Sequence, residues 1–262
     1  MAEPCLAATN ITMKFGGLTA IDGVSFDLHE NEILGIIGPN GAGKTTVFNV
    51  ISGLYTPTSG DIRFRGARIN GLPPHQIAKM GIKRTFQQSR LFDNIGVLDN
   101  VLVGMATVSD GIFVKSIFRR DLLAREFQAN IQHALELLRH FSGLLVDNPY
   151  RRAGDLVPGE RRKLEICRAL ASDPDVLLLD EPAAGMDPTE SAELMGDILK
   201  IRELKKGIGI ILIEHDMAVV QKTADFIVVL SYGKEIARGS FAEVSSNPLV
   251  QEAYLGSESE DA

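Results

Sequence analysis

The 262-residue sequence predicts an α/β fold with a mostly parallel sheet, an N-terminal antiparallel β layer and an inserted helical subdomain. Three observations predict it. Residues 32–37 read as a buried strand and run straight into Gly38-Pro39-Asn40-Gly41-Ala42-Gly43-Lys44-Thr45-Thr46, which matches the phosphate-binding pattern G-x-x-x-x-G-K-[ST] through Gly38, Gly43, Lys44 and Thr45. Residues 176–179 and 208–213 are short, continuous apolar runs, as in parallel strands covered on both faces. Between them and the phosphate loop the pattern turns helical, from about residue 88 to 172.

The elements follow in order. Residues 11–15 and 24–28 alternate apolar and polar, as strands of a half-exposed sheet do. After the loop, residues 47–51 read as a helix whose positive end faces an anion. Residues 61–64 open another strand, which turns at Arg65-Gly66, and Pro73-Pro74 precedes a short helix at 75–80. Leu123, Phe127, Ile131, Leu135 and Leu138 step by four and three, the mark of an amphipathic helix. Asp187-Pro188-Thr189-Glu190 reads as a capped helix start, and that helix runs to Lys206, where Gly207 stops it. Residues 226–230 and 234–237 form a hairpin around Ser231-Tyr232-Gly233. Residues 1–256 form one domain, and the acidic tail at 257–262 is disordered.

Composition narrows the function classes. The net charge is −7, from 27 basic and 34 acidic residues, which argues against nonspecific binding to nucleic acid or an anionic membrane. Two cysteines, Cys5 and Cys167, are too few for a disulfide framework, and a reducing cytosol is the expectation. No signal peptide is visible, and no apolar stretch approaches about 18 residues.

The chemistry is carried by two constellations. In the phosphate loop, glycines let the backbone curl with its N–H groups inward, Lys44 offers a point charge to the outer phosphates, and the Thr45 hydroxyl can ligate Mg²⁺. In the second, the apolar run 176–179 ends in Asp180, followed by Glu181. A carboxylate at the C-terminal tip of a parallel strand sits at the ligand-binding edge. Asp180 there can hold Mg²⁺, and Glu181 can take a proton from attacking water. Cradle, metal and base are the parts γ-phosphate hydrolysis needs. His215, beyond the strand ending at Ile213-Glu214, can hydrogen-bond the γ-phosphate and the water. Gln87 is uninformative by itself.

Together these residues resemble the ATP-binding subunit of ABC transporters, a P-loop NTPase family, over nearly the whole chain. The resemblance implies ATP and Mg²⁺ as cofactors. It implies that Phe15 stacks on adenine, that residues 38–46 cradle the phosphates, and that Gln87 reaches Mg²⁺ alongside Thr45 and Asp180. Glu181 becomes the catalytic carboxylate, His215 the switch histidine, and Asp187 a residue of the dimer interface. The segments 14–20, 84–87 and 161–166 and the ending at 247–256 look like the larger of the two ATPase subunits of branched-chain amino-acid importers. That implies two integral-membrane permeases, a second and different ATPase subunit, an extracytoplasmic solute-binding protein, and a place on the cytoplasmic face of the inner membrane. Urea and short-amide importers are the alternative.

One departure stands out. The family signature is Leu-Ser-Gly-Gly-Gln or near it, whereas the aligned segment here is Leu156-Val157-Pro158-Gly159-Glu160. Val157 removes a hydroxyl for the partner's γ-phosphate, Pro158 removes an N–H, and Glu160 adds negative charge. A hydrogen bond to a charged group contributes ~1.5–3 kcal/mol, or roughly 10- to 150-fold in affinity. The expectation is an asymmetric heterodimer with one complete site and one degenerate site; the alternative is a variant signature that works through its backbone contacts. A soluble ABC-type switch would carry paired ATPase units or a coiled-coil insertion, and this sequence has neither. A binding-only module would have no use for Glu181 and His215.

Overall fold

The computed structural model describes residues 3–85, 91–105 and 120–255. The chain divides into two compact units, one made of Met1–Gln87 with Asp175–Ala262, the other of Gln88–Pro174. Gln87, the apolar residues 112–118 and the tail 257–262 lie outside the described residues. Among the described residues no helix is long and apolar enough to cross a membrane.

In the first unit the larger sheet centres on β3 (Ile33–Ile37), which pairs in parallel with β8 (Gly209–Ile213) on one side and β9 (Phe226–Ser231) on the other. β7 (Val176–Asp180) lies beyond β8, and β6 (Ile82–Arg84) beyond β7, both parallel. β10 (Lys234–Gly239) closes the opposite edge antiparallel to β9. Ser231 pairs with Lys234, and the two residues between them, Tyr232 and Gly233, have φ of 48° and 78°. That is the backbone of a type I′ hairpin turn, whose twist suits the flanking strands. Every residue of β3, β7 and β8 is buried, as strands with both faces covered require.

The smaller sheet is antiparallel, in the order β2 (Leu18–Leu28), β1 (Leu6–Phe15), β4 (Ser59–Phe64), β5 (Ala67–Arg68). β1 and β2 are about twice the length the alternation predicted. Their pairing shifts register between Ala8 and Ile11 and again around Met13, with Asn10 and Gly23 at positive φ. Such bulges break strict alternation, so only the second half of each strand shows it.

α1 (Lys44–Ile51) buries Val47, Phe48, Val50 and Ile51 in one cluster with Leu6, Ile11, Ile21 and Leu28 of the small sheet and Leu34, Leu178, Ile211 and Val228 of the large one. Alternate residues of the same strands, Ile37, Ile227 and Val229, face a second cluster with Val220, Val244 and Val250. α7 (Pro188–Leu204) starts as predicted: the Asp187 carboxylate accepts from Thr189 N–H at 2.7 Å and Glu190 N–H at 2.9 Å, and Glu190 accepts from Asp187 N–H at 3.2 Å. It ends at Leu204 rather than Lys206, because Lys205 turns to an extended conformation ahead of Gly207.

The second unit contains α3 (Val97–Met105), α4 (Arg120–Phe141), α5 (Gly143–Asp147) and α6 (Pro158–Leu170). α3, α4 and α6 pack on one another. Asn100 is buried among them and its side chain bonds to the Phe92 N–H and to the Phe92 and Gly96 carbonyls. Within the expected stripe on α4, Leu138 is buried and Ile131 and Leu135 are half-buried, but Phe127 is 56% exposed, and the fully buried face is Ala134, Leu137, Leu138 and Phe141. The cause is length. Twenty-two residues span about 33 Å, whereas the 13 residues of α6 span about 20 Å, so residues 124–130 run on into solvent.

Phe48 is fully buried where the two sheets meet α1. Phe48→Ala is expected to cost about 3–5 kcal/mol of unfolding free energy. Urea unfolding of both proteins measures it.

Candidate functional site

β3, β7 and β8 run parallel, so their C-terminal ends lie along one edge, where ligands bind in open α/β sheets. Gly38 follows β3, Glu181 follows β7, and Glu214 and His215 follow β8. The first unit alone therefore brings the phosphate loop, the acidic pair and the histidine to a common rim.

The loop is shaped by what surrounds it. Gly38 has φ of +148°, and a Cβ there would lie 2.1 Å from the Leu230 carbonyl oxygen. Gly43 has φ of +100°, and a Cβ there would meet the Ala20 carbonyl at 2.7 Å. Neither position admits another residue without moving backbone. The Gly233 N–H donates to the Ala42 carbonyl at 3.1 Å, and the Asp22 N–H to the Gly233 carbonyl at 2.8 Å, so the β9–β10 turn ties the loop to β2. α1 begins at Gly43 without a side-chain cap and without an acidic residue in its first turn, which leaves its positive end to an anion.

Lys44 is only 5% exposed, and its ammonium donates to the Gly38 carbonyl at 2.7 Å and the Pro39 carbonyl at 2.9 Å. Burial pulls its pKa down, and the charges of Glu181 and Asp180 oppose that shift. The cation thus sits folded along the loop, beside where phosphates would lie. Lys44, Thr45 and Thr46 line one cleft of about 690 Å³ together with Phe15 and Glu181. Phe15 is 41% exposed and stands edge-on to Tyr55, with ring centroids 5.1 Å apart. An aromatic held at the cleft mouth with an open face can stack on a planar base.

Asp180 is 1% exposed and pairs with Arg84 at 2.7 Å. Arg84 also donates to Asn49 Oδ1 at 2.7 Å and to Ser52 Oγ at 3.2 Å, and lies 5.3 Å over the Phe48 ring. The sequence reading gave Arg84 no role, because nothing local marks an arginine as the partner of a carboxylate 96 positions on. Glu181 has φ of +45°, a left-handed conformation that costs a non-glycine residue about 1–2 kcal/mol. Its N–H donates to the Ile213 carbonyl at 3.0 Å, which fixes the bend. Strain of this kind is held where the surroundings over-determine it.

His215 lines a second cleft of about 740 Å³ against the loop residues 38–42, shared with Tyr254 of the C-terminal helix α10 (Pro248–Leu255). Burial pushes the Tyr254 phenol up to about 12, and a backbone hydrogen bond at Gly38 opposes it. Tyr254 was also missed, since a lone tyrosine near a terminus carries no pattern. Asp187 lines neither cleft and acts as the cap of α7.

The signature segment belongs to the second unit. Pro158 takes the first position of α6, where its missing N–H leaves no intrahelical bond unmade. The Val157 N–H donates to Glu160 Oε2 at 3.4 Å, Arg151 stands 3.5 Å from the same oxygen, and the Val157 side chain is exposed. Glu160 is therefore engaged in closing its own helix.

Comparison with known proteins agrees with this geometry. A family profile described as "ABC transporter" matches residues 21–184, more than half of the chain, and one described as "Branched-chain amino acid ATP-binding cassette transporter" matches residues 234–260. The chain is 41% identical over 256 residues to the high-affinity branched-chain amino acid transport ATP-binding protein BraF of Pseudomonas aeruginosa, covering 98% of this chain and 99% of that protein. It is 42% identical over 257 residues to LivG, a protein of the same description from Salmonella typhimurium, with 98% and 99% covered. Among solved structures, an ATP-binding cassette of an ABC transporter in its ADP conformation superposes with a TM-score of 0.82 at 29% identity, covering 97% of this chain and all of that one.

Two outcomes check the site. Lys44→Ala and Gly38→Ala should each weaken binding of a fluorescent ATP analogue at least tenfold, the scale of one lost charge-assisted contact or a displaced loop. Tyr254 contributes stability as the neutral phenol. That contribution is complete below pH about 10 and is lost as pH rises through about 12, so Tyr254→Phe should flatten the fall in melting temperature across that window.

Proposed function

This chain belongs to the ABC transporter ATP-binding family, and on that footing we propose that it hydrolyses ATP to power import of branched-chain amino acids through membrane partner subunits. The observation that carries the reading is a single cleft holding both Lys44 of the phosphate loop and Glu181, the acid at the tip of β7. The two relatives described above bear names that specify this substrate class, and the match over residues 234–260 supports it.

The parts have distinct roles. Residues 38–46 cradle the triphosphate, and Lys44 swings from its two carbonyls to the outer phosphates. Phe15 supports the base. Glu181 accepts the proton of the attacking water, and His215, across the loop, orients the γ-phosphate. Mg²⁺ suits the donors present, since this ion takes most of its shell from phosphates and water rather than from a cage of carboxylates: the exposed Thr45 hydroxyl lines the cleft, and the Asp180 carboxylate, held by Arg84, would act through water. Bound there, it would neutralise developing phosphate charge. Gln87 completes the set by family resemblance.

We further infer a heterodimer with a different ATPase subunit, docked on two permeases at the cytoplasmic face of the membrane and served by an extracytoplasmic solute-binding protein. The variant signature supports the asymmetry. Val157 offers methyl groups where a hydroxyl would bind phosphate, and Glu160 is committed to the Val157 N–H and Arg151. This chain's own cleft, completed by an intact signature from the other subunit, is then the site that turns over.

In the transporter assembled with its permeases and second ATPase, Glu181→Gln should lower kcat at least a hundredfold while ATP still binds. Steady-state phosphate release measures it, and a variant that keeps the parental rate would refute both the role of Glu181 and the asymmetry.

A further inference from the structure

Glu214 is the most deeply buried acid at the ligand rim that the reaction as described leaves unused. It is 1% exposed, it follows β8 directly, and it precedes His215. Its Oε1 accepts the Ala183 N–H at 3.0 Å, so its carboxylate reaches across to the chain two residues past Glu181. Through that bond a side chain anchored at the end of β8 reaches the loop after β7. The backbone there needs a grip. Glu181 stands at φ of +45°, with its N–H on the Ile213 carbonyl at 3.0 Å and its own carbonyl accepting the Ala184 N–H at 3.1 Å.

We propose that Glu214 is a positioning residue for ATP hydrolysis: by accepting the Ala183 N–H from its place beside His215, it holds the loops of Glu181 and His215 in a fixed relation at the rim. The inference rests on the ATPase reading above and adds a residue to it.

The physical argument runs through alternatives for the two loops. β7 and β8 are neighbours, with Asp180 opposite Ile213, but their ladder ends at that pair. Beyond it the chains diverge, Glu181-Pro182-Ala183 toward α7 and His215-Asp216 toward α8 (Met217–Thr223). Strand pairing cannot hold them together past the ladder. A buried side-chain oxygen anchored on one loop can bond an N–H of the other across that gap. Burial raises the carboxyl pKa, and the Ala183 N–H bond opposes that shift. Ala183 opens the segment that leads to Asp187, so the grip also sets where that segment leaves the sheet.

The test compares Glu214→Ala and Glu214→Gln in the full chain, assembled with its membrane and ATPase partners. Glu214→Ala should lower kcat about tenfold or more while KM for ATP and the affinity for a fluorescent ATP analogue stay within about twofold, because the phosphate loop does not depend on this side chain. Glu214→Gln keeps an oxygen for the Ala183 N–H and should recover most of the lost kcat. Retained nucleotide binding certifies that the Ala variant is folded. Parental kcat in Glu214→Ala would overturn the proposal, as would a Gln variant no better than the Ala one. A parental assembly that binds ATP but never hydrolyses it would instead sink the ATPase reading itself.

Discussion

The parallel pairing of β3, β8 and β7 is the constraint on which the rest hangs. Ile36 lies opposite Ile213, and Ile213 opposite Asp180. Neighbouring strands sit about 4.8 Å apart. Loops that leave consecutive tips therefore emerge side by side, however far apart they are in sequence. Gly38, Glu181 and Glu214 meet for that reason alone. A one-residue slip of β7 would turn Asp180 to the other face and carry Glu181 away from the phosphate loop. The unbroken burial of all three strands makes register tight, because helices and the small sheet cover both faces.

Around that rim the chain buries charge that a globular interior would ordinarily exclude, and each charge has its own answer. Lys44 lies on two carbonyls of its own loop. Asp180 faces Arg84, which is itself braced by Asn49, Ser52 and the Phe48 ring. Glu214 takes the Ala183 N–H. A buried ion pair contributes little net stability after desolvation, but it is costly to break on one side. Such contacts act here mainly to fix geometry. They leave Glu181, strained and half-buried, as the acid on the wall of the Lys44 cleft.

The second unit follows a different logic. It is a helical body whose coherence comes from α3, α4 and α6, with Asn100 pinning the loop ahead of α3. The segment aligned with the family signature begins α6. There the helix is closed by local means, with proline in its first position and Glu160 accepting the Val157 N–H. That closure is good helix chemistry and poor phosphate chemistry. The same positive helix end serves an incoming anion at α1, where Gly43 provides no cap.

The amino-acid sequence by itself determined the phosphate loop, the acid pair, the central buried strands and the cap of α7, because each is written in contiguous residues with a fixed spacing. Glycine where a Cβ would strike Leu230, and unbroken Val/Leu/Ile runs where both faces are covered, are local signals of tertiary facts. It under-read the N-terminal strands, whose bulges hide the alternation, and over-read the apolar stripe of α4, because a helix pattern does not state how long its neighbours are. Only the tertiary structure decided the pairing of Arg84 with Asp180, the reach of Glu214 to Ala183, and the place of Tyr254 against the loop. The physical reason is common to all three. A polar side chain buried far from its partner in sequence carries no period and no neighbour that announces it, and its role exists only once the sheet has brought the two ends together.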